Sequence, residues 1–254
     1  MTAATNREDT ARRAIALLDL TNLNDDCTHE AIDALCERAV TPHGHVAAIC
    51  IWPRFISHAR RQLNEAVRVA TVVNFPHGGL DVEIVRVETA EALRDGADEI
   101  DLVLPYDAFL EGDRAAAVRM VEAIRETAGD ATLKVIIETG ELKSEAAIRE
   151  ASRLAIEAGA DFIKTSTGKV EVNATPEAAR LMLEEIAASG KRVGFKPAGG
   201  IKTTEDAGSY LALADEILGD DWATPATFRF GASGVLDDLL AALDGGRAET
   251  KAGY

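Results

Sequence analysis

The stretch that decides the fold runs from residue 159 to residue 200 and carries one lysine in each of two apolar runs. The first run is GADFIKTSTGK, residues 159–169, which contains Lys164, and the second is RVGFKPAGG, residues 192–200, which contains Lys196. Lysine is depleted in strand interiors and is almost never fully buried without a partner. Two such lysines in two successive strand-like runs therefore indicate a polar site inside the fold.

An earlier segment repeats the opening of the first run. DGADEIDLVLPY, residues 95–106, and AGADFIKTSTGK, residues 158–169, share Gly-Ala-Asp, one further residue and then Ile. The shared glycine follows a helix-like run, where glycine adopts the left-handed conformation of a helix end at low cost. Equal spacing from this glycine places Asp101 and Lys164 at the same height on their strands. If these are strands four and six of a closed barrel, their side chains share one interior layer.

The rest of the chain alternates short apolar runs with helical patterns. The predicted strands are residues 17–26, 45–52, 67–75, 99–106, 133–140, 161–168, 192–200 and 227–233. Each is followed by a predicted helix, and a further helix at residues 5–17 precedes the first strand. Such alternation is typical of a parallel sheet, and a count of eight strands favours closure into a barrel.

The predicted fold is therefore an α/β (β/α)8 TIM barrel with an extra N-terminal helix. We expect a single domain over residues 1–254, with a flexible tail from about residue 245. The length suits this fold, which commonly takes about 250 residues. The sequence Gly-x-Gly-x-x-Gly does not follow the first predicted strand, which argues against a dinucleotide-binding fold.

Composition limits the expected partners. No apolar run reaches the roughly 18 residues of a membrane helix, and the N-terminus lacks the apolar centre of a signal peptide. We therefore expect a cytoplasmic protein without a membrane partner. The formal net charge of −16 disfavours a nucleic-acid partner, because nucleic-acid binding needs a basic patch. The three cysteines and the His-Gly-His at residues 43–45 do not form a convincing metal site.

The two central lysines suggest carbonyl chemistry. Neighbouring strands lie about 4.8 Å apart, so ammonium groups on strands six and seven repel each other, and burial further disfavours the charged form. Both effects are expected to lower the lysine pKa, and a neutral lysine amine attacks a carbonyl carbon to form a Schiff base. Asp101 could exchange protons through a water molecule. The spacing leaves an alternative open, in which Asp101 and Lys164 form a buried ion pair and Lys196 only binds phosphate.

Glycine-rich segments lie at the carboxyl ends of three successive predicted strands. They are Ser166–Lys169, Gly199–Gly200 and Gly231–Gly234, the last of which opens a helix. Glycines let backbone amides approach an anion, a helix N-terminus favours negative charge, and loops seven and eight are the usual phosphate site of this fold. The sequence therefore predicts a phosphate site here. The alternatives are that the glycines only make tight turns and that Lys169 is a solvated loop charge.

These motifs resemble those of the deoxyribose-phosphate aldolases. The matching stretches are DLTNLNDD, CIWPRF, VVNFPHG, GADEIDLVLPY, KVIIETGEL, GADFIKTSTGK, VNATPEAAR, GFKPAGGIKT and RFGAS, between Asp19 and Ser233. The resemblance implies a class I aldolase of deoxyribonucleotide catabolism, which reversibly cleaves 2-deoxy-D-ribose 5-phosphate to acetaldehyde and D-glyceraldehyde 3-phosphate. It implies a lysine Schiff base without a metal or organic cofactor, and partners that are small sugar phosphates and aldehydes. It is compatible with a homodimer, although the sequence reveals no interface.

The resemblance also assigns site residues. It makes Lys164 the Schiff-base lysine and makes Asp101 and Lys196 a proton-relay pair, with Lys196 depressing the pKa of Lys164. Tyr254 matches a C-terminal tyrosine that assists proton transfer to the enamine carbon. The substrate and phosphate positions are Asp19, Thr167, Gly168, Lys169, Gly199, Gly200, Ser233 and Gly234. Two positions depart from the family pattern, because Gly234 replaces a second serine and Trp52 replaces a tyrosine.

Two other functions remain open from the sequence. The chain could be another Schiff-base sugar-phosphate aldolase or a transaldolase, which a three-carbon donor would distinguish. It could also be a non-catalytic barrel that binds a sugar phosphate, with its lysines acting only as cations.

Overall fold

The computed structural model describes residues 3–245, and these form a barrel of eight short parallel strands. The strands are β1 Leu18–Asn22, β2 Ala48–Ile51, β3 Arg68–Val73, β4 Glu99–Val103, β5 Thr132–Ile136, β6 Phe162–Lys164, β7 Gly194–Lys196 and β8 Phe230–Ala232. Each strand from β1 to β7 pairs with the next, and β8 pairs with β1. Two isolated bridges, Phe195–Phe228 and Ala198–Gly231, join β7 to β8. The predicted (β/α)8 barrel is confirmed.

Helices surround the barrel. They are α1 Ala3–Ala16, α2 His29–Arg38, α3 Ile56–Arg60, α4 Val82–Arg94, α5 Arg114–Ala128, α6 Glu145–Glu157, α7 Pro176–Ser189, α8 Thr204–Leu218 and α9 Val235–Leu243. The extra helix α1 packs against α8 and α9. Ser144 and Thr175 are the N-caps of α6 and α7, and each side chain accepts a backbone N–H of the first turn. No helix within residues 3–245 is both long and apolar enough to cross a bilayer.

Several predicted boundaries were wrong, mostly at the carboxyl ends of the strands. β6 and β7 contain three residues each, and the segments beyond them leave the sheet as loops. Pro197 has no N–H to offer a neighbouring strand, and the polar Ser-Thr-Gly segment after β6 favours a turn. Short helices, Tyr106–Leu110 and Thr139–Leu142, replace the predicted ends of β4 and β5. Residues 40–45 form a small antiparallel ribbon that the sequence did not predict.

The repeated Gly-Ala-Asp segments have the same structural role. Gly96 and Gly159 follow α4 and α6 with φ angles of 106° and 103°, as predicted for glycine at a helix end. Asp98 accepts the N–H of Val69 at 2.8 Å, and Asp161 accepts the N–H of Leu133 at 2.8 Å. Each aspartate also binds an arginine. The repeat therefore fixes the entry into β4 and β6 against the neighbouring strand, which sets the height of the residues that follow.

The interior of the barrel has an apolar side and a charged side. Small apolar side chains from β2 and β3, together with Leu23, form a separate buried cluster that includes Cys50 and Val72. Charged side chains come from the strands on the opposite side. The aliphatic core between barrel and helices holds both sides in place.

Candidate active site

Seven charged side chains meet inside the barrel, and all are buried. They are Asp19 from β1, Glu99 and Asp101 from β4, Lys134 from β5, Lys164 from β6, Lys196 from β7 and Arg229, which precedes β8. With every group ionised, three carboxylates face four cations, which leaves one positive charge. Buried charges are tolerated when they are paired and hydrogen-bonded.

Asp101 is the centre of this cluster. Its Oδ2 accepts hydrogen bonds from the Nζ of Lys164 at 2.8 Å and the Nζ of Lys196 at 2.7 Å. Its Oδ1 accepts the Nζ of Lys134 at 2.9 Å. The structure thus brings Asp101 and Lys164 together, as their equal spacing from the shared glycine predicts.

A second set of contacts links Asp19, Glu99 and Arg229 to this cluster. The Nζ of Lys196 also donates to Asp19 Oδ2 at 2.5 Å, and Arg229 donates to Asp19 Oδ1 at 2.7 Å. Arg229 and Lys134 both contact Glu99, at 2.7 Å and 2.5 Å. Each of the three carboxylates in this cluster therefore has at least two cationic partners, which fixes the geometry of the cluster.

The carboxylates and cations of the cluster shift each other's pKa. Burial would raise the pKa of Asp101, but Lys134, Lys164 and Lys196 together hold it well below its usual range. Burial lowers the pKa of Lys196, but Asp101 and Asp19 more than offset this effect and raise it above its ordinary value. The expectation that burial and repulsion lower the pKa of both lysines is therefore wrong for Lys196, because its two carboxylate contacts outweigh them.

Lys164 is the central lysine that reaches open space. A cavity of about 790 Å³ lies at the carboxyl ends of the strands, where the active sites of such barrels lie. Lys164 lines this cavity, whereas Lys134 and Lys196 are fully buried behind it. The proposal that Lys196 only binds phosphate does not fit this position.

The predicted phosphate residues converge on the same cavity. Its wall includes Thr167, Gly168, Lys169, Gly199, Gly200, Ser233 and Gly234. Gly199 and Gly200 have φ angles of 80° and 81°, and a Cβ on Gly199 would lie 2.8 Å from Asn173. Gly234 is the N-cap of α9 and offers no side-chain cap, so the first amides of this helix are free to meet an anion.

Comparison with known proteins decides the family. Residues 13–236 match the DeoC/LacD family aldolases. The chain belongs to the DeoC/LacD aldolase family. It is also 58% identical over 250 residues to a deoxyribose-phosphate aldolase of Agrobacterium fabrum, a match that covers 97% of this chain and 96% of that protein.

Two solved structures share the fold of this chain. A crystal structure from Toxoplasma gondii matches with a TM-score of 0.87 and 24% identity, over 98% of this chain and 99% of that chain. A tetrameric deoxyribose phosphate aldolase from Aeropyrum pernix matches with a TM-score of 0.74 and 24% identity, over 95% of this chain and 99% of that chain. At these identities the two structures support the barrel fold alone.

Two other residues singled out in the sequence, Asp19 and Trp52, do not line the cavity, and a third lies outside the described residues. Asp19 is fully buried below the cavity wall, where Lys196 and Arg229 occupy both of its oxygens. Tyr254 lies outside the described residues. Trp52, which replaces a tyrosine, donates from its indole N–H to Asn24 O at 3.0 Å. The centroid of its ring lies 5.8 Å from the Nζ of Lys169, which lines the cavity.

Sequence reasoning missed three members of the charged cluster, Glu99, Lys134 and Arg229. Lys134 lies in the apolar run LKVII, so the argument applied to Lys164 and Lys196 would also have selected it. Arg229 stands between two phenylalanines directly before β8, which is a similar signal. Within residues 3–245, no group of three His, Cys, Asp or Glu side chains is arranged to hold a metal ion.

Proposed function

We propose that this chain is a deoxyribose-phosphate aldolase that reversibly cleaves 2-deoxy-D-ribose 5-phosphate to acetaldehyde and D-glyceraldehyde 3-phosphate. The observation that carries the proposal is the position of Lys164. Its amine lies at the floor of a cavity whose wall contains three glycine-rich loops, and it contacts a carboxylate that can accept a proton. The 58% identical relative from Agrobacterium fabrum supports the substrate.

The proposed reaction begins at Lys164. Its ammonium must lose a proton before it attacks, and Asp101 is the acceptor in contact with it. The amine adds to the C1 carbonyl of the open-chain sugar to give a carbinolamine, which loses water to give an iminium ion. When the C3 hydroxyl loses its proton, the C2–C3 bond breaks and its electrons move to the iminium nitrogen. Glyceraldehyde 3-phosphate leaves, and an enamine of acetaldehyde remains on Lys164.

Asp101 and Lys196 have complementary roles in this scheme. Lys196 remains protonated because two carboxylates bind it, so it supplies a fixed positive charge beside the reacting nitrogen. Asp101 is ionised at rest because Lys134, Lys164 and Lys196 lower its pKa, and it can accept a proton transiently and relay it between Lys164, Lys196 and water. Protonation of the enamine carbon and hydrolysis of the iminium then release acetaldehyde and regenerate Lys164. The iminium is the electron sink, so the scheme needs no cofactor.

The phosphate of the substrate is assigned to the loops after β6, β7 and β8. In the structure the Nζ of Lys169 contacts Asp25 Oδ1 at 2.9 Å, and this exposed pair is weak enough for a phosphate to compete for the lysine. Backbone amides near Gly200 and at the start of α9 complete the proposed phosphate-binding site. Because Gly234 replaces a serine, this phosphate-binding site has one hydroxyl group fewer than the site that the family pattern implies.

The test is a product assay with matched lysine variants. The wild type should release equal amounts of acetaldehyde and glyceraldehyde 3-phosphate. Lys164→Arg should bind the sugar phosphate but lose cleavage, whereas Lys143→Arg, at an exposed position, should behave as the wild type. Cleavage at the wild-type rate by Lys164→Arg would contradict the Schiff base. A three-carbon donor would indicate another aldolase or a transaldolase, and binding without turnover would indicate a non-catalytic barrel.

The remaining expectations belong to the same proposal. We expect one catalytic domain over residues 1–254, a cytoplasmic location and a homodimer in solution, with Tyr254 assisting proton transfer to the enamine carbon. Light scattering on the full chain measures the mass of the assembly and separates a dimer from a tetramer such as that of the Aeropyrum pernix relative.

A further inference from the structure

Glu138, directly after β5, is a buried carboxylate without a cationic partner. It is fully buried, like Asp19 and Asp101. Within residues 7–245, no lysine, arginine or histidine nitrogen lies within 4.0 Å of its carboxylate. Its oxygens instead accept the backbone N–H of Thr167, at 3.3 Å and 3.2 Å. Burying a carboxylate without a cationic partner and with one backbone hydrogen-bond donor costs free energy, so the position of Glu138 requires an explanation.

The backbone at Glu138 is also unusual. Its φ and ψ angles are 57° and 64°, in the left-handed region that residues other than glycine rarely adopt. The pairing of β5 with β6 continues on both sides of it, because Ile137 N–H donates to Lys164 O at 3.0 Å and Thr139 N–H donates to Thr165 O at 2.9 Å. Glu138 lies between these two hydrogen bonds, and its side chain adds a further contact from this segment to Thr167. Strained backbone of this kind is concentrated at functional sites.

Thr167 connects this contact to the cavity. It is the first of three successive residues that line the cavity wall after β6, and its Oγ1 accepts the N–H of Lys169 at 3.1 Å. Lys164 lies three residues before Thr167 on the same segment. A contact at Thr167 therefore controls the path of the chain between the reacting amine and the phosphate loop.

We infer that Glu138 is a positioning residue whose carboxylate holds the Thr167 amide and so sets the loop Thr167–Lys169 for the phosphate of the substrate. The inference rests on the proposed function. What the loop needs is a hydrogen-bond acceptor at this point. A glutamine can supply that acceptor, whereas a leucine cannot, and an aspartate is one methylene too short to reach Thr167.

The experiment compares Glu138→Gln, Glu138→Leu and Glu138→Asp on 2-deoxy-D-ribose 5-phosphate and on 2-deoxy-D-ribose, which has no phosphate. Glu138→Gln should keep the KM for the phosphorylated sugar within about threefold of wild type, because the amide oxygen still accepts the Thr167 N–H. Glu138→Leu and Glu138→Asp should raise that KM by about tenfold or more, the effect of one lost hydrogen bond to a charged group. Their kcat/KM for 2-deoxy-D-ribose should change by much less.

The matched control is Glu141→Gln, the same chemical change three residues later at a partly exposed side chain. It should leave both substrates unaffected. If Glu138→Gln is as damaging as Glu138→Leu, the charge matters rather than the acceptor, and the inference is wrong. Equal losses on both substrates would also overturn it. Because Glu138→Leu could fail to fold, circular dichroism and Tm are measured for each variant, and Glu138→Gln and Glu138→Asp then decide the result.

The activity of the wild type distinguishes a failure of this inference from a failure of the proposed function. If the wild type cleaves 2-deoxy-D-ribose 5-phosphate and the Glu138 variants do not separate the two substrates, only the role of Glu138 is wrong. If the wild type cleaves neither sugar, the proposed function is wrong and the inference falls with it.

Discussion

Lys134 illustrates how each charge in the barrel depends on the others. It is fully buried, and its Nζ lies 2.5 Å from Glu99 and 2.9 Å from Asp101. It lies behind the cavity wall, so its direct effect is on the two carboxylates and not on a ligand. Without Lys134, Asp101 Oδ1 loses a hydrogen-bond donor and Glu99 keeps Arg229 as its cationic partner, in a region of low dielectric where lost contacts of charged groups are costly.

We therefore expect Lys134→Met to lower the free energy of unfolding by about 3–5 kcal/mol. The measurement is urea denaturation at pH 7 under identical buffer conditions. Lys143→Met is the matched control, because the Lys143 side chain is 75% exposed and lies 3.8 Å from Glu141. The control should change stability by less than about 0.5 kcal/mol. Equal midpoints for the two variants would contradict the role given to Lys134.

At the residue scale, the sequence predicted part of the charged cluster. Asp101 and Lys164 could be placed together because a shared Gly-Ala-Asp segment fixed their heights. The contact between Asp19 and Arg229 could not be predicted from the sequence. These side chains come from the two ends of the chain and meet only when β8 pairs with β1. The pKa of Lys196 depends on those same contacts, so its direction was predicted wrongly.

At the element scale, β8 is held against β7 at a point without room for a side chain. A Cβ on Gly231 would lie 2.8 Å from Ala198 Cβ and 3.2 Å from Lys196 Cε. These separations are shorter than ordinary contacts, so one neighbour has to move. The side chain of Lys196 is one of the two neighbours, and its displacement would loosen its contacts with Asp101 and Asp19.

We expect Gly231→Ala to lower kcat/KM by about 10- to 100-fold, because small displacements in an organised site are costly. Steady-state kinetics with 2-deoxy-D-ribose 5-phosphate measure the effect. Gly208→Ala is the control, since a Cβ within α8 would lie 3.4 Å from Thr10 Cγ2, an ordinary contact distance. The control should keep its activity and gain up to about 1 kcal/mol of stability, because alanine favours a helix. Wild-type kinetics in Gly231→Ala would contradict the steric account.

The elements themselves were largely predictable, and their ends were not. Eight strands alternating with helices were evident from the apolar pattern. The strand ends were misplaced because the apolar pattern continues past the last residue of the regular strand, for example to Ile137 after β5 and Ala198 after β7. These residues are buried by the loops they enter, so hydrophobicity alone does not separate strand from loop.

At the scale of the whole molecule, the buried charges predict how stability depends on pH. Burial opposes ionisation of Asp19 and Asp101, but the neighbouring cations lower the pKa of both below the ordinary value of 3.8. Their stabilisation is therefore present above that value and is lost as the pH falls through the lowered pKa. Burial likewise opposes the charge of Lys134 and Lys196, yet the carboxylates raise their pKa above 10.5. Their stabilisation is present below 10.5 and is lost as the pH rises through the raised pKa.

The cluster should therefore contribute a constant stabilisation from about pH 5 to pH 10, and this contribution should fall below about pH 4. Urea denaturation at intervals between pH 3 and pH 8 tests the acid side. We expect a plateau followed by a decline in the free energy of unfolding as the carboxylates become protonated. A free energy at pH 3 equal to that at pH 7 would contradict the paired state of Asp19 and Asp101.

The most direct test of the account concerns which lysine carries the substrate. The protein is mixed with 2-deoxy-D-ribose 5-phosphate, reduced with borohydride and digested, and the modified peptide is mapped by mass spectrometry. We expect an ethyl group on Lys164, because this is the central lysine that lines the cavity. An ethyl group on Lys134 or Lys196, or turnover that leaves no adduct on any lysine, would contradict it.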